Sequence, residues 1–365
     1  MQGARGLAAR ASGVLVVLVA AVAPLLRLLT ARARRRGRTG GPGAQVVRAD
    51  DGTALHVEVD GDPHAPLTVV LVHGFTARLA EFDPQRAALR SRARARVVLY
   101  DQRGHGRSGW GKTTNATFEQ LGRDLATVLD ATTPRGPVVL VGHSMGGMTV
   151  LSLARQRPEL FGKRVTGVFL LATSAGELTS HGVAGLWLRL LTRTRLLSLY
   201  LRWLRLVAPV VERARVRGSA AGRLFVRHYL FGRDDADPEL VHEVQQMVEE
   251  TSLTITTAFY AAFVAHDARD TLPVLRRVPV TVLVGTDDRL TPLEHSRRLV
   301  EVVDNADLVV VPGAGHTVNV TRPDVVNEAM LDLLARAERH RADQSRVALH
   351  RSDLSVADES SRATG

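Results

Sequence analysis

Short apolar runs recur along the chain and alternate with stretches of helical periodicity. Six of the runs are four to seven residues long and rich in β-branched residues, which is typical of strands buried on both faces of a parallel sheet. They are Leu67–Val72, Arg96–Tyr100, Val138–Val141, Val165–Leu171, Val280–Val284 and Asp307–Val311. The helical stretches are Glu81–Arg90, Thr117–Asp130, Met145–Gln156, Leu293–Asp304 and Pro323–Arg336. This alternation predicts a mostly parallel, doubly wound α/β sheet with right-handed crossovers.

A β-hairpin is expected ahead of the first of these strands. The segments Gln45–Ala49 and Ala54–Asp60 flank Asp51 and Gly52. An Asp-Gly pair between two strand-like segments indicates a tight turn, because glycine accepts the backbone angles that such turns need.

The stretch from about Gly176 to Thr271 interrupts the alternation. It shows only helical periodicity, with breaks at Pro209, Gly218 and Pro238. An insertion of this length is too long for a connection, so we expect a helical cap inserted before the last two strands.

The first half of this cap is basic and rich in leucine. From Arg189 to Arg217 it carries eight Arg against the single acid Glu212. Two interpretations stay open: this half lies on an anionic membrane, or its leucine face packs on the core while its Arg side chains face water. Its larger apolar residues offer a hydrophobic lid over a ligand: Leu186, Trp187, Leu190, Tyr200, Trp203 and Leu204.

The N-terminal segment carries an uncharged run. Sixteen uncharged residues lie between Arg10 and Arg27, with an apolar centre at Val14–Leu26. As a helix they would span about 24 Å, slightly less than the hydrocarbon core of a bilayer. Two Arg precede the run and six lie between positions 27 and 38. This asymmetry favours a membrane anchor with the following domain on the cytoplasmic side; a cleaved signal peptide and an interfacial leader are the alternatives.

These features predict three parts of the chain. Residues 1–43 form the hydrophobic anchor and an Arg- and Gly-rich linker, and residues 44–339 form the α/β domain, with its cap at about 176–271. Residues 340–365 lose helical periodicity and become polar, so we expect a disordered tail there.

The net charge of +11 is concentrated at the N-terminus. Residues 1–49 carry nine Arg and no acidic residue, so the rest of the chain is nearly neutral. A domain this close to neutral lacks the basic surface that binds a phosphate backbone, and nucleic acid is therefore not an expected partner. The chain has no cysteine, which excludes disulfides, Cys-ligated zinc and a thiol nucleophile.

The pentapeptide Gly142–Gly146 (GHSMG) directly follows a predicted strand and precedes a predicted helix. In that context a G-x-S-x-G motif places its serine on a strained turn, with the hydroxyl presented above the sheet. Glycine on both sides lets the neighbouring backbone approach closely. Ser144 is therefore the candidate nucleophile.

A serine hydroxyl needs a base, and the base needs an acid to orient it. His316 follows the last predicted strand in a glycine-rich turn, and we assign it as the base. Asp287 and Asp288 follow the preceding strand. Asp288 is favoured as the acid because it is the third residue after a glycine and lies four residues before Pro292. Asp287 stays the alternative.

An oxyanion hole needs two backbone N–H groups directed at the developing negative charge. Met145, the residue after the nucleophile, supplies one, and Phe75 in the loop after Leu67–Val72 supplies the other. We expect His73 and His105 to be structural loop residues, with a second base as the alternative for His73. His143 should point away from the nucleophile.

Five motifs in this order resemble the α/β-hydrolase superfamily: HGF at 73–75, DQRGHGRS at 101–108, GHSMGG at 142–147, GTDDRLTP at 285–292 and GAGH at 313–316. The resemblance covers roughly residues 46–336. It is greatest for the lid-bearing branch that contains serine carboxylesterases and monoacylglycerol-lipase-like enzymes. The leader, the tail and the cap carry none of these motifs.

The resemblance implies hydrolysis through a covalent acyl-enzyme without a metal or organic cofactor, and the residues support the same scheme. We expect a small, apolar or lipid-like carboxylic ester as the substrate. Alternatives are hydrolysis of thioesters, amides or C–C bonds, or perhydrolysis, by the same three residues. A non-enzymatic alternative is a catalytically silent scaffold that serves for binding.

Overall fold

A computed structural model of the protein describes residues 43–93, 95–176, 218–233 and 236–363, together with Leu178, Trp203, Val207, Ala208 and Glu212. Eight strands form one sheet in the order β1-β2-β4-β3-β5-β6-β7-β8. They are β1 (Ala44–Arg48), β2 (Ala54–Asp60), β3 (Leu67–Val72), β4 (Ala95–Tyr100), β5 (Val138–His143), β6 (Val165–Leu171), β7 (Val280–Gly285) and β8 (Ala306–Val311). Strands β3 to β8 are mutually parallel.

The predicted hairpin forms the antiparallel edge of this sheet. β1 pairs with β2, and β2 pairs with β4, in antiparallel register. The turn between β1 and β2 contains Gly52 at φ 81°, a backbone angle that glycine adopts without a steric penalty. The sheet is thus mostly parallel, as the apolar runs predict.

The described α-helices are α1 (Asp83–Arg92), α2 (Phe118–Thr132), α3 (Met145–Gln156), α4 (Ala220–Leu230), α5 (Pro238–Glu250), α6 (Leu253–Ala265), α7 (Leu272–Leu275), α8 (Leu293–Val302), α9 (Val318–Thr321) and α10 (Pro323–Ala363). They cover both faces of the sheet. In β3, Val70 packs in a core with residues of α2, α3 and α8, whereas Val69 packs in a second core with residues of α1 and α10. Adjacent strand residues point to opposite faces, so the doubly wound architecture is confirmed.

Helices α4, α5 and α6 lie between β6 and β7, which confirms a helical cap inserted before the last two strands. The residue before each helix accepts, through its side chain, a hydrogen bond from a backbone N–H of the first turn. These residues are Ser219 for α4, Asp237 for α5 and Ser252 for α6. Such caps satisfy N–H groups that have no partner inside the helix. An isolated antiparallel bridge joins Gly176 to Asp267, next to the predicted limits of the cap.

The C-terminal segment differs from the prediction. Helix α10 begins at Pro323 and continues to Ala363, whereas the sequence predicted disorder from residue 340. The segment lacks an apolar periodicity, but it also lacks proline and glycine between Pro323 and Gly365. Its Ala, Arg, Glu and Gln residues have a high helix propensity, so the loss of periodicity was a poor indicator of the backbone conformation.

Two predicted features lie outside the described residues: the hydrophobic anchor within residues 1–42 and nearly all of the basic half of the cap. Of the lid residues, Trp203 is described and is 50% exposed. No helix in the described ranges is both long and apolar enough to cross a membrane.

Candidate active site

Ser144 occupies the turn between β5 and α3. Its backbone angles are φ 50° and ψ −114°, a conformation that costs a non-glycine residue about 1–3 kcal/mol. The backbone is fixed on both sides, because the Ser144 N–H donates to the Leu171 carbonyl (2.9 Å) and the Ser144 carbonyl accepts from Thr173 Oγ1 (2.7 Å). The turn therefore holds the hydroxyl in one place.

Gly146 allows the first turn of helix α3 to lie directly against the end of strand β3. A Cβ atom at this position would lie 1.9 Å from the Val72 carbonyl oxygen. Because that oxygen belongs to the backbone of β3, it cannot move aside for a side chain. The second glycine of the motif is thus required by a close approach of two backbones.

The structure brings the side chains of Ser144, His316 and Asp288 together. The Ser144 hydroxyl donates to His316 Nε2 at 2.9 Å, and His316 Nδ1 donates to Asp288 Oδ2 at 2.8 Å. Each of the three follows a different strand, β5, β8 and β7, which end at the same edge of the parallel sheet. All three are at most 9% exposed.

Asp288 is held by further bonds that keep it ionised. Its Oδ1 accepts from the N–H groups of Leu290 (2.8 Å) and Thr291 (2.9 Å), and its Oδ2 accepts from Thr291 Oγ1 (2.8 Å). Burial alone would raise the pKa of Asp288. The charge of His316 and these hydrogen bonds outweigh burial, so the pKa lies below its ordinary value. The carboxylate is fixed in charge and in orientation.

The neighbouring Asp287 has a different environment. Its Oδ2 accepts from Arg233 through the backbone N–H (3.2 Å) and Nε (2.9 Å). The hydrogen bond from Arg233 lowers the pKa of Asp287. Arg233 belongs to the segment between α4 and α5, so Asp287 contacts the cap whereas Asp288 contacts His316.

The two expected oxyanion donors have N–H groups that remain available. In the described part of the chain, neither Phe75 nor Met145 donates its backbone N–H to an acceptor. Met145 is the first residue of α3, where the N–H groups have no partner inside the helix. Thr76, directly after Phe75, also has a positive φ of 56°, so this loop is strained next to the candidate donor.

Sequence reasoning missed a buried pair beside Ser144. His143 contacts Glu81 Oε1 through Nδ1 (3.0 Å) and the His316 carbonyl through Nε2 (3.0 Å). Burial alone lowers the pKa of His143, but the charge of Glu81 outweighs it and raises that pKa above its ordinary value. Glu81 lies in a short 3₁₀ turn, Leu79–Phe82. The only hint in the sequence was an acidic residue among apolar neighbours.

The two other loop histidines make backbone contacts. His73 Nδ1 donates to the Gly74 carbonyl (2.7 Å), and its Nε2 accepts from the Gln102 N–H (2.8 Å). His105 Nδ1 donates to the Arg103 carbonyl at 3.0 Å. Burial lowers the pKa of His105 to about 3, so its ring is neutral.

Aromatic side chains of the cap lie against the Phe75 loop. The Phe75 ring packs edge-on against Phe263 (centroids 5.0 Å apart) and Phe259 (6.0 Å), both from α6. Phe118 contacts Phe263 at 5.5 Å, and Trp110 contacts Phe259 at 5.7 Å. Met145 and Met148 belong to the same apolar cluster. The wall beside the Ser144 turn is therefore apolar and largely aromatic.

This arrangement is suited to nucleophilic chemistry. A hydroxyl bonded to an imidazole, which is itself bonded to a buried carboxylate, can lose its proton as it attacks a carbonyl carbon. In the described ranges no group of three or more His, Asp or Glu side chains is placed to hold a metal ion.

Comparison with known proteins identifies the family of the chain. The model of the alpha/beta hydrolase family matches residues 69–329. The protein RutD of Caulobacter sp. (strain K31), whose name provisionally assigns it carbamate hydrolysis, is 31% identical over 293 residues, which cover 77% of this chain and 96% of the relative.

Solved structures give the same result. A thermophilic esterase from Thermogutta terrifontis superposes with a TM-score of 0.64 at 26% identity, over 80% of this chain and 98% of the esterase. An enol-lactonase from Burkholderia xenovorans LB400 gives 0.61 at 25% identity, over 80% of this chain and all of the lactonase (100%). With most of its sheet, its cap and its Ser144 turn inside the matched region, the chain belongs to the α/β-hydrolase family.

Proposed function

We propose that the protein is a serine hydrolase that cleaves carboxylic esters with apolar acyl groups through an acyl-enzyme. One observation carries the proposal: the continuous hydrogen bonding from Ser144 Oγ to His316 Nε2 (2.9 Å) and from His316 Nδ1 to Asp288 (2.8 Å). The similarity to a solved esterase and to a lactonase supports ester chemistry.

In the proposed reaction Ser144 Oγ attacks the ester carbonyl carbon while His316 Nε2 takes its proton. The N–H groups of Phe75 and Met145 stabilise the oxyanion. His316 then gives the proton to the departing alcohol, and the C–O bond to the alcohol breaks. Water attacks the acyl-enzyme by the reverse route, with His316 again as the base. Asp288 orients the imidazole and stabilises its positive charge.

The aromatic wall supports an apolar acyl group. Phe259 and Phe263 of α6 pack against the ring of Phe75, whose N–H is one proposed oxyanion donor. Ligand sites are mostly apolar with a few polar anchors, and here the polar anchors are the three hydrogen-bonded side chains and the two N–H groups.

A carbamate is the second candidate substrate. The matched RutD relative, whose name points provisionally to carbamates, covers 77% of this chain at 31% identity. Carbamates, like esters, present a carbonyl carbon to the nucleophile, so the same three side chains serve both.

The test is covalent labelling with a fluorophosphonate followed by a substrate panel. We expect one label per chain on Ser144, and no label on Ser144→Ala. The panel compares p-nitrophenyl esters of graded acyl length with a matched aryl carbamate and a thioester. Faster turnover of medium-chain esters supports the proposal, and faster turnover of the carbamate replaces it with the second candidate. An unlabelled and inactive natural protein would instead indicate a binding scaffold.

We also propose that residues 1–43 tether the domain to a membrane, with the active site on the cytoplasmic side. The uncharged run between Arg10 and Arg27 and the Arg cluster that follows support this. The full chain should sediment with membranes, whereas a shortened protein that begins at Ala44 should remain in the supernatant and stay active. Mature protein recovered outside the cell with a new N-terminus between Pro24 and Gly43 would identify a signal peptide instead.

A further inference from the structure

We propose that Glu81 and His143 are positioning residues that hold two loops in register around Ser144: the oxyanion loop (residues 73–78), which carries Phe75, and the histidine loop (residues 312–317), which carries His316. This inference rests on the proposed function, because it assigns a role within that reaction. It concerns two buried charged side chains that make no direct contact with the Ser144 hydroxyl and so have no step in the reaction described above.

Glu81 is hydrogen-bonded to the backbone of the oxyanion loop. Its Oε1 atom accepts from the Gly74 N–H at 2.9 Å and from His143 Nδ1 at 3.0 Å. Gly74 directly precedes Phe75, the proposed oxyanion donor. The direction of the Phe75 N–H therefore depends on a backbone segment that Glu81 anchors.

The contacts of His143 reach the other side of the site. Its Nε2 donates to the His316 carbonyl at 3.0 Å, which fixes the backbone of the proposed base. A second link runs in parallel, because Asn319 Nδ2 donates to the Glu81 carbonyl at 3.1 Å. The turn that contains Glu81 is thus bonded to the segment that contains His316 both directly and through His143.

His143 serves both loops only while it is an imidazolium. Its two ring nitrogens face two acceptors, a carboxylate and a carbonyl, and a neutral imidazole has one N–H donor. Glu81 supplies the negative charge that keeps the second proton, and both side chains are buried. A displacement of about 1 Å can lower a rate about 10²-fold. We therefore expect the Glu81–His143 pair, which fixes both loops, to affect the rate of the chemical step.

Glu81→Gln tests the inference because it keeps the shape of the side chain and removes its charge. Neutral His143 then loses one of its two contacts, so we expect kcat for a p-nitrophenyl ester to fall about 10²-fold while KM changes little. A structural role alone would lower the melting temperature and leave kcat of the folded protein unchanged. That second pattern, with kcat retained, overturns the inference.

Glu58→Gln is the matched control. Glu58 is also a buried carboxylate bonded to a histidine, His56, at 3.2 Å, but it lies in strand β2. We expect this variant to lose stability without a change in kcat. An equal fall of kcat in both variants would attribute the effect to general loosening of the fold and contradict the inference.

A measurement on the unaltered protein covers the case in which Glu81→Gln does not fold. Long-range ¹H–¹⁵N spectra at the pH of the esterase assay, with the His143 signals identified by their loss in His143→Gln, should show both ring nitrogens protonated. A single protonated nitrogen would overturn the inference. If the natural protein neither labels nor hydrolyses esters, the proposed function fails instead, and the spectrum still decides whether His143 holds both loops.

Discussion

At the carboxyl edge of the sheet, polar side chains are held by several directional bonds each, whereas helix α6 of the cap meets the Phe75 loop through aromatic rings. Asp288 takes part in four hydrogen bonds of 2.8–2.9 Å. Phe263 is placed by ring contacts at 5.0 and 5.5 Å. Hydrogen bonds weaken steeply when bent, but apolar contact is not directional. The side chains at the edge are therefore fixed in orientation, whereas the ring contacts of α6 allow more adjustment.

Hydrogen bonds at the end of α4 join the cap to the sheet edge. The Leu230 carbonyl accepts from the Thr317 N–H (3.0 Å) and from Thr317 Oγ1 (2.9 Å), next to His316. Gly232 lies so close that a Cβ atom there would be 1.9 Å from the Gly313 carbonyl oxygen. Arg233 Nε donates to Asp287 Oδ2, two residues after the end of β7. Movement of this part of the cap thus requires movement of the histidine loop.

Replacing the proposed nucleophile should have the largest effect, because it removes the chemistry at the sheet edge and leaves the cap contacts in place. We expect Ser144→Ala to lower kcat by about 10³–10⁶, as the loss of a serine nucleophile does in other hydrolases, while apolar ligands still bind beneath the cap. Steady-state kinetics and ligand binding by calorimetry measure the two regions separately. A folded Ser144→Ala protein with full esterase activity would falsify the assignment.

Asp287 and Asp288 are adjacent in sequence, but Asp288 contacts His316 at the sheet edge and Asp287 contacts Arg233 of the cap. Substituting each in turn therefore tests the two regions separately. Asp288→Asn should lower kcat by about 10⁴, because the wrong imidazole tautomer is then favoured. Asp287→Asn neutralises the partner of Arg233, whose side chain is 79% exposed, so we expect a change of less than about 10-fold, mainly in KM, since an ion pair at the surface contributes little. Kinetics of both variants decide the matter. If Asp287→Asn is the more damaging change, the acid has been assigned to the wrong residue.

Truncating one cap ring should alter substrate choice rather than chemistry. Phe263→Ala removes contacts to Phe75 and Phe118. We expect kcat/KM for medium-chain esters to fall about 10-fold relative to acetate, the range that pocket contacts of this size provide. Leu224→Ala, at a 69% exposed position on α4, is the control and should leave the ratio unchanged. A uniform loss for all acyl lengths would place Phe263 in the chemical step instead.

His105 lies where the two regions meet, and it should make stability depend on pH. Its pKa is about 3 in the folded protein and about 6.5 when unfolded. The unfolded chain therefore binds more protons between these values, so stability is lost as the pH falls from about 6.5 towards 3. His105→Phe keeps an aromatic ring beside Phe75 and Phe259 and should flatten this acid dependence in urea titrations. An unchanged slope would contradict a neutral buried ring.

The sheet and the residues at its edge were largely predictable. The apolar runs located all six parallel strands to within two residues at each end, because strands buried on both faces need continuous apolar sequence. The chain order Ser144, Asp288, His316 then followed from positions directly after those strands. These residues meet in space since parallel strands present their carboxyl ends at one edge.

The rest could not be predicted for identifiable reasons. No sequence motif identified Glu81, because its contacts with Gly74 and with His143, 62 residues away, arise only from tertiary packing. Helix α10 extends past residue 340 in a segment of good helix propensity, which a search for amphipathic periodicity does not detect. The rings of α6 could not be identified from the sequence either, since apolar residues of a helix also pack in ordinary cores.

The backbone of Ser144 has a consequence for how this protein can change. At φ 50° and ψ −114° the position is best suited to glycine, yet the proposed chemistry needs a side chain there. A glycine would relax about 1–3 kcal/mol of strain, a sizeable part of the 5–15 kcal/mol by which a domain is usually folded. Stability and activity therefore oppose each other at this one residue. Selection for stability alone would favour the single substitution Ser144→Gly, which would give a more stable but inactive protein.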